Sequence, residues 1–256
     1  MGGLKFMIWD ADKYAADFSF VPRYGRGVIE LIEAEPGATV LDLGCGNGAL
    51  TRELREKGYA VTGLDASESL LALARAQDPA TEYVPGDATA FALPAPVDVV
   101  FSNAVFHWIR REQQADMLRC VHRALRENGQ FVFEFGGRGN NRAIHSALQA
   151  VFAEHGYGYE LPFYFPGLGE YAALVEEGGF RVVYAVLFDR PTELRGEDGL
   201  REWIRMFVKA PFAAVPTEEE RESLMLETQE RLRDQLYRGG KWYADYVRLR
   251  MKAVRC

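Results

Sequence analysis

The segment LDLGCGNGAL, residues 41–50, decides the fold of this chain of 256 residues. A short apolar stretch runs directly into three closely spaced glycines, Gly44, Gly46 and Gly48, and a helical pattern begins after them. Glycine lets the backbone take left-handed conformations and approach a ligand closely, and the start of the next helix presents unpaired N–H groups. The segment therefore predicts a strand, a ligand-binding turn and a helix, the arrangement that binds cofactors in open α/β sheets.

Strands and helices alternate on the C-terminal side of this segment. The predicted strands that follow it cover residues 60–64, 81–84, 97–101 and 130–135. Amphipathic helical patterns lie between most of them, with Ser67 as an N-cap. This rhythm is typical of βαβ units, so we predict an α/β fold with a parallel sheet.

The second half of the chain has a different pattern. Strands are predicted at 180–188 and 242–254, and a long helical stretch separates them, including a capping box at Thr217. The final strand has Val247, Leu249 and Met251 on one face and Arg248, Arg250 and Lys252 on the other. We expect a single domain, residues 1–256, with its core at about 25–136, 168–190 and 241–256 and helical lid insertions at about 137–167 and 193–238.

Composition argues against several classes of function. The formal net charge is −7 and no dense Lys/Arg block occurs, which disfavours a nucleic-acid partner. Three widely spaced cysteines form no metal-ligand pair and no disulfide framework. No apolar run is long enough for a signal peptide or a membrane span. We therefore expect a cytoplasmic protein, a monomer or a homodimer, with neither a metal nor a membrane partner.

Two acidic residues indicate which cofactor the glycine loop binds. Asp42 lies two residues before Gly44, and Asp65 ends the next predicted strand, where it can accept hydrogen bonds from a ribose. A carboxylate beside the loop attracts a cation and repels a pyrophosphate. The loop also satisfies the dinucleotide fingerprint in its GxGxxA form, ending at Ala49. An NAD(P)-dependent oxidoreductase is therefore the alternative interpretation.

Four motifs together make the resemblance to a family specific. LDLGCGNG, LDAS (64–67), GDA (86–88) and FSNAVFHW (101–108) resemble the successive motifs of class I S-adenosylmethionine-dependent methyltransferases, in the same order across about residues 25–135. The resemblance implies a Rossmann-like seven-stranded sheet of order 3-2-1-4-5-7-6, with the last strand antiparallel. It also implies S-adenosyl-L-methionine as cofactor and S-adenosyl-L-homocysteine as product. The whole chain is similar to the trans-aconitate methyltransferase-like subgroup.

The same resemblance implies roles for individual residues. The glycine loop holds the methionine end, the acid after the second strand holds the ribose, the loop after the third strand holds the adenine, and the loop after the fourth reaches cofactor and substrate. The cofactor-binding residues are then Asp42, Gly44, Cys45, Gly46, Gly48, Asp65, Ala66, Asp87, Ala88, Asn103, Ala104 and, before the core, Tyr14. Cys45 is interpreted as a packing residue and not as a nucleophile.

The acceptor is expected to be a small molecule, and the subgroup resemblance suggests a small acid methylated on a carboxylate oxygen. His107 is the candidate general base where the acceptor needs one. The candidate substrate-binding residues are Arg23, Tyr24, Arg26, Trp108, Arg138 and Tyr164, and Arg142 is a further carboxylate partner. A non-catalytic S-adenosylmethionine-binding protein is a third interpretation.

Overall fold

The structure, a computed structural model, describes residues 20–256, with side chains from Gly25 onward. Within this range a single mixed sheet contains eight strands in the order β3-β2-β1-β4-β5-β8-β6, and the short β7 pairs with β8 outside this path. The strands are β1 (Thr39–Leu43), β2 (Ala60–Asp65), β3 (Glu82–Pro85), β4 (Val97–Asn103), β5 (Leu125–Gly136), β6 (Phe180–Leu194), β7 (Tyr237–Arg238) and β8 (Lys241–Arg255). With the two-residue β7 set aside, the predicted order 3-2-1-4-5-7-6 is confirmed.

Helices flank both faces of the sheet. They are α1 (Phe20–Ile29), α2 (Ala49–Glu56), α3 (Glu68–Gln77), α4 (Gln114–Ala124), α5 (Arg142–Glu154), α6 (Leu168–Glu177), α7 (Gly199–Phe207), α8 (Lys209–Phe212), α9 (Glu218–Arg231) and α10 (Arg233–Leu236). The predicted caps form, since Ser67 Oγ accepts from Leu70 N at 3.4 Å and Thr217 Oγ1 accepts from Glu220 N at 3.2 Å. In the described part of the chain, no helix combines the length and apolar character that a membrane span requires.

The strands β1 to β5 are parallel, and β8 runs antiparallel to both of its long neighbours, β5 and β6. The predicted end of β6 at residue 188 is wrong, because the strand continues to Leu194, which pairs with Trp242. Pro191 lies inside this extension. A proline lacks the N–H that a ladder uses, and β6 tolerates it because it is the edge strand.

The two faces of β5 belong to two different cores. Phe131, Phe133 and Phe135 pack on one side with residues of α4 and α6. Val132 points to the other side and packs with Val28 of α1. This alternation follows from the two-residue period of a strand, and it leaves the second half of β5 buried on both faces.

The insertions form a hydrophobic core of their own. Trp203 of α7, Leu224 of α9 and Leu148 of α5 belong to one buried cluster that also includes Trp242 of β8. Residues 137–167 and 193–238 therefore pack against each other and rest on the N-terminal end of β8. The division of the chain into a core and a lid stays a prediction.

A buried ionic cluster joins β5, β6 and β8. The fully buried carboxylate of Glu134 accepts hydrogen bonds from Arg190 (2.6 and 2.9 Å), Arg248 (3.3 Å) and Arg250 (2.7 Å). Arg250 also donates to Gly27 O of α1 at 2.9 Å. Although burial opposes ionisation, the arginines hold the pKa of Glu134 below its ordinary value. We call Glu134 with these three side chains the arginine cluster.

Replacing Glu134→Gln tests the contribution of this cluster to stability. The variant keeps the shape of the side chain but leaves buried guanidinium groups without a counter-charge, so we expect the free energy of unfolding to fall by about 3–5 kcal/mol. Urea denaturation of both proteins measures the difference. Glu193→Gln, which breaks the exposed pair with Lys241, is the control and should change little. Equal stability of the two variants would contradict the role given to the cluster.

Candidate active site

Four parallel strands end side by side and define the location of the site. The strands β1, β2, β4 and β5 end at Leu43, Asp65, Asn103 and Gly136. We call this margin of the sheet the carboxyl edge. In open α/β sheets ligands bind in the crevice outside the carboxyl ends of the strands, where the strand order reverses. Here the order reverses between β1 and β4, so the glycine loop after β1 lies at that crevice.

The glycine loop has the backbone that its sequence predicts. Gly44 N and Cys45 N both donate to Leu64 O, at 2.7 and 3.1 Å, which fixes the loop against the end of β2. Gly46 has φ +55, and a Cβ built on it would meet no atom within 4 Å. The left-handed conformation favours glycine. The backbone of Gly46 therefore borders open space at the carboxyl edge.

Two carboxylates lie beside this loop. Asp42 is buried and accepts a hydrogen bond from Thr51 Oγ1 at 2.6 Å. Burial raises the pKa of Asp42 to about 7, and the nearby charge of Asp65 adds to the shift. Asp65 accepts from Gly46 N at 2.9 Å and from Ser67 N at 2.8 Å, and burial raises its pKa as well. Two neighbouring acids with raised pKa values favour a cationic ligand, because positive charge stabilises both ionised forms.

The carboxylates of Asp42 and Asp65 fit S-adenosylmethionine, which carries a sulfonium and an ammonium, better than a dinucleotide, whose pyrophosphate they would repel. Cys45 is buried beside the loop, and its thiol pKa is raised by burial and by Asp42. A thiol held neutral in this way is a poor nucleophile. The packing role predicted for Cys45 therefore agrees with its surroundings.

The loop after β3 reaches the same edge. Asp87 is exposed and accepts from Thr89 N and Thr89 Oγ1, at 2.8 and 2.7 Å, so it closes a tight turn. Ala88 is buried next to it, while Ala66 is exposed after the end of β2. Because β2 and β3 are parallel neighbours, their loops meet. The structure thus brings the predicted ribose and adenine loops together, and their ligand contacts stay predictions.

The loop after β4 brings polar groups to the centre of the carboxyl edge. Asn103 is buried, and its Oδ1 has no hydrogen-bond partner among the described residues. Ala104 takes φ +63 and donates from its N–H to Glu134 O at 2.7 Å. His107 Nδ1 accepts from Gly136 N at 3.3 Å. Burial, reinforced by the charge of Arg248, lowers the pKa of His107 well below its ordinary value, so the ring is neutral at pH 7.

Trp108 and Tyr164 line a groove of about 750 Å³ that reaches His107. Trp108 packs edge-on against Phe163, with ring centroids 4.7 Å apart. Tyr164 N donates to His107 O at 3.0 Å, and Tyr164 Oη donates to Glu170 at 2.9 Å. Burial and the Glu170 carboxylate raise the pKa of Tyr164 to about 12. The groove therefore joins the loop after β4 to the first insertion.

Two of the arginines predicted to bind substrate, Arg26 and Arg138, have acidic partners. Arg26 pairs with Glu53 at 3.0 Å, and Arg138 pairs with Glu170 at 3.1 Å, both with largely exposed side chains. Tyr14 lies outside the described residues. Arg23 and Tyr24 lie in α1, but their side chains are outside the described part of the structure. The substrate-binding roles given to these residues stay predictions.

The sequence interpretation missed the arginine cluster and Tyr246. Arg248 lies opposite Gly136, the last residue of β5, and Arg190 lies opposite Tyr246. The basic face of the final strand was visible in the sequence as Arg248, Arg250 and Lys252, but such a face is ordinarily solvated. The one signal in the sequence is the length of this run of basic residues. Its acidic partner on β5 cannot be identified from the sequence alone.

A pair of glycine variants tests where the cofactor lies. Gly46 and Gly37 both have positive φ and nothing within 4 Å of an added Cβ. Gly46→Ala and Gly37→Ala should therefore each lose a similar amount of stability, about 1 kcal/mol. We expect only Gly46→Ala to weaken the binding of S-adenosylhomocysteine, by at least about tenfold, since its methyl group enters the ligand's space. Titration calorimetry measures both affinities, and a matching loss in Gly37→Ala would contradict this location.

The raised pKa of Asp42 predicts opposite pH effects on binding and on stability. The affinity for S-adenosylhomocysteine should increase as pH rises through about 7, because the ionised carboxylate attracts the ligand's ammonium. As pH rises from about 4 to 7, the unliganded protein should lose stability from this group, because the folded state holds the proton more tightly than the unfolded state. Asp42→Asn should remove the contribution of this group to both dependences and leave that of Asp65, whose pKa is also raised.

Calorimetry from about pH 5.5 to 8.5 and thermal melts from about pH 4 to 8.5 measure the two effects. Thr51 can still donate to the Oδ1 of the new asparagine, which limits the structural change. A pH profile of affinity that persists unchanged in Asp42→Asn would mean that a different group titrates.

Comparison with known proteins agrees with this geometry. A family profile described as "Methyltransferase domain" matches residues 41–133, which run from β1 through most of β5. An uncharacterised methyltransferase of Schizosaccharomyces pombe is 33% identical over 264 residues, which cover 96% of this chain and 97% of that protein. A trans-aconitate 2-methyltransferase of Azoarcus is 36% identical over 128 residues, about half of each chain (49% and 50%).

A solved structure has the same architecture. The S-adenosylmethionine-dependent methyltransferase of Mesorhizobium loti superposes with a TM-score of 0.55 at 21% identity, covering 90% of this chain and 96% of that one. At this identity the likeness concerns the fold. The full-length relative shows the family, and it decides against an oxidoreductase. The chain belongs to the class I S-adenosylmethionine-dependent methyltransferases, and it is an enzyme whose cofactor is S-adenosylmethionine.

Proposed function

We propose that this methyltransferase methylates a carboxylate oxygen of a small organic acid. The observation that carries the proposal is the arginine cluster, which gives the β5 end of the carboxyl edge a positive charge. Arg248 and Arg190 have side chains that are only 10% and 13% exposed. A guanidinium fork matches the planar geometry of a carboxylate, and its charge is worth more in a buried site than at the surface.

His107 supports an acceptor that needs no base. Its Nδ1 accepts the Gly136 N–H, so in the neutral ring the proton lies on Nε2. A nitrogen that carries a proton donates a hydrogen bond and cannot remove one from the acceptor. We therefore propose that His107 donates a hydrogen bond to the acceptor or packs against it. This role replaces that of the general base predicted from the sequence.

The acidic half of the edge holds the cofactor in this proposal. The Gly46 backbone and the carboxylates of Asp42 and Asp65 bind the methionine and ribose parts, while Asn103 offers an unpartnered Oδ1 nearby. When bound, S-adenosylmethionine supplies a methyl group that its sulfonium makes electrophilic, and an ionised carboxylate accepts it without loss of a proton. The protein's contribution is then alignment and exclusion of water.

Three further features support a small acceptor. The trans-aconitate 2-methyltransferase of Azoarcus, named for a small acid, matches over about half of this chain, 49%. The groove of about 750 Å³ beside His107 and Trp108 has the size of a small-molecule site. The net charge of −7 disfavours a nucleic acid as the acceptor. A monomeric or homodimeric state stays a prediction.

An acceptor screen with radiolabelled S-adenosylmethionine tests the proposal. We expect label transfer to di- and tricarboxylic acids such as trans-aconitate, and none to matched phenols or primary amines. At saturating cofactor, kcat should be constant from about pH 6 to 8.5, because carboxylic acids ionise near pH 4 and the pKa of His107 is well below its ordinary value. Turnover of a phenol or an amine, with no turnover of any acid, would refute carboxylate methylation.

A further inference from the structure

Arg248 differs from the other arginines of the cluster in how its nitrogens are used. Arg190 donates to Glu134 through both Nη atoms, and Arg250 donates through Nε to Glu134 and through Nη1 to Gly27 O. Arg248 donates to Glu134 through Nε alone, at 3.3 Å. Among the side chains that the structure describes, from Gly25 onward, and the backbone of residues 20–256, its two Nη groups have no hydrogen-bond partner, although the residue is only 8% exposed.

The small exposed part of Arg248 leaves its Nη groups within reach of a ligand. A largely buried guanidinium keeps little of its hydration, and its charge therefore interacts more strongly with an anion than a solvated charge does. Burial lowers the pKa of Arg248, and Arg190 adds to the effect although Glu134 opposes it. The remaining positive charge and the unused Nη donors both favour an anion beside Arg248.

The surroundings direct these donors toward the acceptor. Arg248 pairs with Gly136 at the end of β5, and its charge acts on His107. Its guanidinium lies 5.5 Å from the ring centroid of Tyr246, whose hydroxyl accepts from Trp203 Nε1 at 2.6 Å. Trp203 belongs to α7 of the second insertion, so this insertion reaches the carboxyl edge next to Arg248. The Arg248 guanidinium therefore lies near both the loop after β4 and, through Tyr246, α7.

We propose that the Nη groups of Arg248 bind a carboxylate of the acceptor, and that this carboxylate is not the one methylated. A guanidinium that binds both oxygens of a carboxylate uses one lone pair on each and withdraws their negative charge, which makes both oxygens poorer nucleophiles. Arg248 is therefore a specificity residue for acceptors with at least two carboxylates. This inference rests on the proposed carboxylate methylation. It assigns the binding of the acceptor's second carboxylate to Arg248, at the carboxyl edge, in place of Arg26 and Arg138.

The test measures binding of two probes to protein saturated with S-adenosylhomocysteine. Tricarballylate (propane-1,2,3-tricarboxylate) carries the charges, and its triamide has nearly the same shape without them. Arg248→Gln should weaken tricarballylate binding by about 10- to 100-fold and leave triamide binding within about twofold, because only the charged probe loses an ion pair. Arg248→Lys should recover part of the loss, since it restores the charge without the fork.

Lys252→Gln is the matched control. Lys252 lies on the same face of β8 as Arg248, is slightly more buried, and pairs with Glu33 at 2.7 Å, away from the carboxyl edge. We expect its affinity for tricarballylate to equal that of the wild type. Equal losses for both probes in Arg248→Gln, or an unchanged affinity for tricarballylate, would overturn the inference, as would a wild-type protein that binds no tricarballylate. Thermal melts verify that the variants are folded.

The acceptor screen separates the two proposals. Acids turned over by Arg248→Gln with the wild-type KM would remove the role of Arg248 and leave carboxylate methylation in place. Conversely, a selective loss of tricarballylate binding in Arg248→Gln, together with turnover of no acid by the wild type, would leave the anion subsite and remove carboxylate methylation.

Discussion

The burial of one carboxylate, that of Glu134, is the constraint on which the arrangement of this protein depends. Glu134 lies on β5, the strand whose two faces carry the two cores of the sheet. A buried carboxylate is stable only when counter-charges and hydrogen bonds replace its hydration. Here those partners come from β6 and β8, and Arg250 extends the network to the backbone of α1. Strands that are distant in sequence are thus held together where the core ends and the site begins.

The carboxyl edge is also divided by charge. The ends of β1 and β2 carry Asp42 and Asp65, whose raised pKa values favour a cation. The part of the edge formed by the end of β5 and the paired residues of β8 carries Arg248, whose positive charge favours an anion. A cationic methyl donor and an anionic acceptor would therefore be drawn to adjacent halves of one crevice and attract each other across it. Placing charges before the ligands bind avoids reorganisation during the reaction.

The boundaries of the helices and strands show where the local sequence pattern was sufficient to predict the structure. Caps at Ser67 and Thr217 and the alternation of strands and helices depend on neighbouring residues, and the structure confirms them. The end of β6 was predicted too early, because Pro191 interrupts the strand pattern. What keeps the chain extended there is pairing with β8, whose partner residues lie some fifty positions away, as in Leu194 with Trp242. A local pattern contains no information about such a partner.

The sequence by itself determined the sheet, the glycine loop and the acids beside it. Short motifs at the carboxyl ends of consecutive strands specify these features, and parallel strands bring their carboxyl ends to one edge of the sheet. Only the tertiary structure decided that Arg248 and Arg250 are buried. In the sequence they form the polar face of a strand, and a polar face is normally solvated. Their burial requires Glu134, more than a hundred residues earlier, which the antiparallel register of β5 and β8 places directly opposite Arg250.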